Sequence, residues 1–431
     1  MKHAPKFAFF CLALIALVAF SGQAFAAHYA QVGVCTPPNI PTHTYATIQA
    51  AVSASTSTTI IEICPGNYYE QIAIDKNLTL EGVNPSAGAV VIWPPATGVV
   101  ANATDVDSGT PIAAQVLVQD SAAVTISNLT VDGTGNAVND STTDLMGILF
   151  QNASGTVNHV AVRNQLPDDT LQGDSGYGQG IYVQTTALFT SKVTVENSSV
   201  HGYNKNGITG NDAGTTLNVT GSYIQGAGAL PNGFDAQNGI QLGWGAMGKI
   251  SGNTVIDNSY VGTYWAASGI LLYDAAEGAT NAPVVTVTSN MVGNSQFAIA
   301  LVTDTAGIGD YGSVTGNKIL GTSTYDAIDL CTNFNTATGN TIFNSAESAV
   351  HLDASCPNTG WDNVATGNTI LESACAGILD DSAGAYGNSY GTETYYTVPF
   401  PVAYSASACT IPGPEVLVTH ARTTHKFSPK K

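Results

Sequence analysis

Between Gly147 and Asp381 apolar and polar residues alternate in short runs, and one run keeps returning. It reads Gly147-Ile-Leu-Phe, Gly180-Ile-Tyr-Val, Gly207-Ile-Thr-Gly, Gly239-Ile-Gln-Leu and Gly269-Ile-Leu-Leu. Ala298-Ile-Ala-Leu, Ala327-Ile-Asp-Leu, Ala349-Val-His-Leu and Gly377-Ile-Leu-Asp continue it. The spacing averages roughly 29 residues, within the range of solenoid and propeller repeats. A second phrase falls between these, as in Gly252-Asn-Thr-Val-Ile, Gly316-Asn-Lys-Ile-Leu, Gly339-Asn-Thr-Ile-Phe and Gly367-Asn-Thr-Ile-Leu.

Alternation with a period of two predicts strands of about four to six residues, one face buried and the other turned outward. Gly or Asn at the strand entrances permits the left-handed backbone of a sharp bend. No stretch between the phrases holds a helical period, which argues against helix-containing repeats. A propeller needs about four strands and roughly 40 residues per blade. The pattern therefore predicts an all-β fold, a single-stranded right-handed parallel β-helix of about eleven coils, each closing at the ~4.8 Å strand spacing.

Residues 1–26 read as a secretory signal: Lys2 and Lys6, an apolar run from Phe7 to Phe20, then Ala24-Phe25-Ala26. The apolar run is short for a membrane span. The division expected from sequence is a signal at 1–26, an extension at 27–43, the β-helix at 44–411 and a flexible basic tail at 412–431. Without Lys2 and Lys6, the 12 Lys and Arg become 10 against 31 acids, a net charge of about −21. That balance disfavours nucleic acid and anionic membranes as partners. A secreted, periplasmic or cell-surface monomer is expected.

Six cysteines remain after the signal: Cys35, Cys64, Cys331, Cys356, Cys375 and Cys409. In an exported chain an even number reads as disulfides, with 15 connectivities open. Clustering at the two ends of the solenoid favours Cys35–Cys64, Cys331–Cys356 and Cys375–Cys409. No pair has the close spacing of a metal site.

Thr44-Tyr-Ala-Thr-Ile-Gln-Ala-Ala-Val-Ser reads as a short amphipathic helix. Thr59-Ile-Ile-Glu-Ile-Cys-Pro-Gly-Asn-Tyr-Tyr-Glu, Gln71-Ile-Ala-Ile and Asn77-Leu-Thr-Leu-Glu-Gly follow as strands and a turn. This order resembles the N-terminal start of the pectin lyase-like superfamily, nearest to pectin methylesterases and generic parallel β-helix-repeat proteins. The resemblance implies an N-terminal capping helix over the first coil and leaves activity open. The catalytic motifs of pectin methylesterases and polygalacturonases are not matched; Asp168-Asp169 and Asp380-Asp381 are the only fragments of that kind. Basic residues of the kind pectate-type lyases use are sparse, with Arg163 the one arginine between signal and tail. No cofactor is implied, and calcium lacks a compact acidic ligand loop.

In the Gly/Ala-Ile-x-Leu-x phrase Ile and Leu point inward and the x positions outward. Asp329, His351 and Asp353 then share one patch on adjacent coils, with Asp381 one coil further. Carboxylates crowded this way drive their pKa values apart, as an acid and a base require, though stacked polar residues also simply solvate a wall. Tyr182, Trp244, Tyr260, Tyr264, Trp265 and Tyr273 fall on central coils, where rings stack on sugar faces, and Gln184, Asn211 and Gln241 could bond hydroxyls. The asparagines at 253, 290, 317, 340 and 368 read as a structural amide ladder. The function expected is a scaffold facing a polysaccharide or other glycan, non-catalytic or weakly catalytic. The alternative is a carbohydrate-active enzyme, glycosidase- or lyase-like, using the outward acidic patch.

Overall fold

The computed structural model describes residues 28–120, 122–138, 142–167, 177–229, 236–261, 266–276, 285–303, 311–356 and 360–405. The signal segment, Asp168, Asp169, Tyr264, Trp265, Cys409 and the basic tail lie outside them.

Each coil turns through three strands. Ser191–Glu196, Ser199–Tyr203 and Asn206–Asn211 make one, and Thr215–Thr220 starts the next in parallel register with Ser191–Glu196. Stacking of equivalent strands gives three sheets of 14, 12 and 13 strands. Among the described strands only Ala103–Thr104 pairs antiparallel, against Pro111–Val118. The Gly/Ala-Ile phrases form the 13-stranded sheet. The strand count exceeds the expected coils because less regular strands at both ends, such as Tyr29–Val32 and Phe400–Ala403, join the sheets.

Strand alternation fills the interior as expected: Val193, Val195, Val200 and Ile208 are wholly buried in one continuous core. The corner between the first two sheets needs one left-handed residue, supplied by Gly252, Gly316, Gly339 and Gly367 at φ 64–69°. The next residue is a buried asparagine whose backbone N–H and Nδ2 both donate to the amide oxygen one coil on. Asn253, Asn290, Asn317, Asn340 and Asn368 are joined this way at 2.9–3.0 Å. Glu393 ends the row by accepting from both nitrogens of Asn368. Burial holds its carboxyl above the ordinary glutamate value, against the opposing effect of those two hydrogen bonds.

At the N-terminus the helix is Ile48–Ala54, starting later than the sequence suggests. His43–Tyr45 instead pairs as a strand with Tyr29–Val32, so part of the expected extension is already sheet. Thr47 caps the helix by accepting from Ala50 N–H, and the Glu70 carboxylate accepts from Ile48 and Gln49 N–H. Ile48, Ala51 and Val52 join the main core.

Disulfides join Cys35–Cys64 and Cys331–Cys356. Cys375 is also disulfide-bonded, and its expected partner Cys409 is outside the described residues.

One expectation is corrected. The outward positions of the 13-stranded sheet do not face solvent: Leu149, Tyr182, Gln241, Leu271, Asp329, His351 and Leu379 are all buried. Alternation sets which way a side chain leaves the strand, and the segments joining the strands decide what it meets. Ala103 packs with Leu117, Leu149 and Tyr182, while Ala266, Phe297 and Tyr325 pack with Leu271 and Tyr273. The solenoid thus carries a second layer over this sheet.

Candidate functional site

His351 lies in the strand Val350–Leu352, paired in register with Asp329 on the preceding coil. The flanking Val350 and Leu352 enter the core, which fixes the imidazole on the opposite face. There Nδ1 is 3.1 Å from Asp326 Oδ2, 3.8 Å from Asp353 Oδ2 and 3.9 Å from Asp329 Oδ1. Nε2 is 3.3 Å from Asp381 Oδ2. Four carboxylates from three consecutive coils surround one imidazole.

Backbone donors hold three of these carboxylates. Asp326 Oδ1 accepts from Ser348 N–H, Asp353 Oδ1 from Ser355 N–H and Asp381 Oδ1 from Ala354 N–H, at 2.7–2.9 Å. The Cys331–Cys356 bridge ties the strand of Asp329 to the segment after Asp353. His351, Asp326, Asp329 and Asp353 are sealed, and the side chain of Asp381, at 23 % exposure, is where the group meets solvent.

Buried carboxylates in such proximity must share protons or neutralise one another, since several isolated anions in a poorly solvated site are costly. In the tautomer that donates Nδ1–H to Asp326, Nε2 faces Asp381 Oδ2 at a distance across which a proton can be exchanged. Two overlapping sets, Asp326/Asp329/His351 and His351/Asp353/Asp381, each bring one donor atom per residue within 4.8 Å. These are the residues that could hold a divalent ion. One imidazole among carboxylates suits zinc, manganese or iron better than calcium, which takes oxygen ligands alone.

The sequence placed Asp329, His351, Asp353 and Asp381 together, and the structure brings them together. It missed Asp326. That residue sits at the corner before Ile328, where period-two alternation no longer applies; its only signal is a second aspartate two residues before the Asp329 strand.

The residues expected to form a glycan groove are arranged differently. Tyr182, Gln184 and Gln241 lie wholly within the covered layer, with Tyr273 nearly so. Gln184 Nε2 donates to Asp105 Oδ2 at 3.0 Å, and the Tyr182 hydroxyl lies 3.4 Å from the same oxygen. Asn211 Nδ2 donates to the Tyr182 hydroxyl, and Gln241 Nε2 to Asn211 Oδ1. Burial, reinforced by Asp105, pushes the Tyr182 phenol well above its usual range. Trp244 is half-buried against Tyr273, ring centres 5.5 Å apart. These side chains meet one another, and an open groove is not formed by them.

Arg163 is likewise engaged: its Nε donates to Asp132 Oδ2 at 2.6 Å on the 12-stranded sheet. Burial pushes the Asp132 carboxyl up, but hydrogen bonds from Asn164, Thr134 and Arg163 outweigh it and hold the carboxyl below its ordinary value.

No protein-family model and no curated protein matches this chain. Solved structures do resemble it. The A-module of the mannuronan C-5 epimerase AlgE4 from Azotobacter vinelandii superposes with a TM-score of 0.51 at 15 % identity, over 85 % of this chain and 95 % of that one. An alginate lyase from Paenibacillus sp. str. FPU-7 gives 0.39 at 11 % identity, over 83 % and 94 %. The pectate lyase Pel9A gives 0.40 at 11 % identity, over 95 % and 89 %. The likeness is one of fold. The three stacks of parallel strands and the epimerase likeness agree on a parallel β-helix fold.

Proposed function

We propose that this is an exported carbohydrate-active protein in which Asp381 is the solvent-side acid/base group, linked through His351 to the buried Asp326. The observation that carries the reading is the chain Asp326 Oδ2–His351 Nδ1 at 3.1 Å and His351 Nε2–Asp381 Oδ2 at 3.3 Å. It runs from the sealed interior to the one member that meets solvent. A proton held between His351 and Asp381 can be delivered to a glycosidic oxygen and later recovered, the work of a general acid/base. Asp329 and Asp353 raise the negative potential around the imidazole and so favour keeping that proton. The disulfides fit an oxidising compartment. The acidic balance points to a neutral glycan, because polyanionic chains would be repelled.

Burial of four of the five groups favours a second reading, a glycan-facing scaffold in which the cluster only ties three coils together. Turnover separates the two. Purified protein incubated with neutral polysaccharides should release new chain ends, and Asp381→Asn should abolish the release while leaving the fold intact. If the parent protein releases nothing from any of them, the acid/base reading is lost and the scaffold reading stands.

A further inference from the structure

The same coils carry a second feature at the corner where the chain leaves the 13-stranded sheet for the 14-stranded one. Tyr311, Phe334, Trp361 and Tyr386 occupy this corner on four consecutive coils. Tyr311 stacks on Phe334 with ring centres 4.9 Å apart and planes 12° from parallel. Trp361 stacks on Tyr386 at 4.8 Å and 12°. The two pairs meet through the backbone, Phe334 N–H donating to Trp361 O at 3.0 Å.

The register shifts between the pairs. Counted back from the pairing of Thr336 with Val364, Phe334 falls opposite Asp362 and Asn333 opposite Trp361, and the Asn333 side-chain oxygen accepts from Trp361 N–H at 2.8 Å. Each stacked pair covers one face of its inner ring, leaving the second faces of Phe334 and Trp361 without a ring partner among the described residues. These two side chains are 43 % and 45 % exposed. Burying them would have been favourable, so two large exposed aromatic side chains flanked by stacked partners form a held platform rather than loose surface.

We infer that this platform docks a neutral glycan chain lying along the solenoid axis, with pyranose faces against Phe334 and Trp361. The inference rests on the proposed function and names the substrate class and its path. Two observations select this occupant. Trp361 follows Gly360, which packs directly against the backbone of Asp353, so the platform borders the carboxylate cluster. The exposed charges near it are acidic: Asp362 follows Trp361 directly, and Asp381, partly open to solvent, precedes the Tyr386 turn on the same coil. Uncharged sugars offer C–H faces to rings and hydroxyls to these carboxylates, whereas uronate chains would bring like charge.

The test measures binding of cellohexaose, xylohexaose and mannohexaose by calorimetry, with an oligogalacturonate of similar length as the charged comparison. Trp361→Ala and Phe334→Ala should each weaken binding of the preferred neutral hexasaccharide by about tenfold, the effect of losing one stacking ring. Phe343→Ala, which removes an equally exposed ring (47 %) after a strand of the 12-stranded sheet, should leave it unchanged. Thermal melts confirm that the variants fold, and Trp361→Tyr should restore most of the binding. The inference is overturned if no neutral hexasaccharide binds, if the oligogalacturonate binds better, or if Trp361→Ala and Trp361→Tyr both bind like the parent. Sedimentation showing that Trp361→Ala breaks a dimer would also overturn it, because the rings would then serve self-association. Binding without turnover sinks the acid/base reading alone.

Discussion

His351 Nε2 stands 3.3 Å from Asp381 Oδ2, and this contact joins a sealed group of carboxylates to the surface. Behind it, backbone donors hold Asp326 and Asp353, and the strands of Asp329 and His351 have their alternate residues locked in the core. Everything in front of it is open to exchange. On the acid/base reading proposed above, a proton placed on this pair is held by the interior and delivered from the outside.

Asp326→Asn tests whether the interior controls the surface group. The amide keeps an oxygen for Ser348 N–H and removes the charge opposite Nδ1. Turnover should fall by about 10²-fold or more, the scale of general acid/base catalysis, and the pH profile should shift with it. A purely structural role would lower the melting temperature and leave the profile of any remaining activity where it was.

The amide ladder should carry a measurable share of stability. Asn317→Ala removes the acceptor of Asn290 N–H and Nδ2 and the donor to Val287 O. Leaving one such buried group unmet costs about 1–3 kcal/mol. Thermal or urea unfolding should show this loss, and Asn368→Ala should show less, since its neighbour Glu393 lies nearer the end of the row.

The Asp132–Arg163 pair predicts a pH dependence. Because the folded Asp132 carboxyl is held below its ordinary value, its stabilisation is complete above the unfolded pKa and is lost as pH falls through the folded one. Arg163→Met removes one of the interactions that lower it. The melting-temperature gap between parent and variant should therefore be widest near neutrality and narrow as the pH is lowered below about 4. A gap independent of pH would assign the effect of Arg163 to packing alone.

Cys331 and Cys356 close 25 residues of chain beside the carboxylate cluster. Replacing both by alanine should lower stability by about 3 kcal/mol, the entropy of a loop of this size. Proteolysis should then cut first between residues 331 and 356. Cleavage beginning elsewhere, with an unchanged melting temperature, would show that the bridge adds little.

The sequence by itself determined the coil. Alternating Ile and Leu after each Gly or Ala set which residues enter the core, and a Gly-Asn corner set where each coil bends, because strand periodicity and left-handed turns are local properties. The amide ladder was legible for the same reason: a residue repeated at the same place in each coil must stack on its copies. Asp329, His351, Asp353 and Asp381 could be grouped from register alone. What covers them could not be read. Tyr182, Gln184 and Gln241 leave their strands in the direction alternation gives, yet Asp105, in the turn between Ala103–Thr104 and Pro111–Val118, closes over Tyr182 and Gln184. Asp326 and the Phe334–Trp361 platform belong to corners, where period two ends and small changes of register decide what touches what. Direction out of a strand is local chemistry. Exposure depends on which distant segment packs there, and only the tertiary structure decides that.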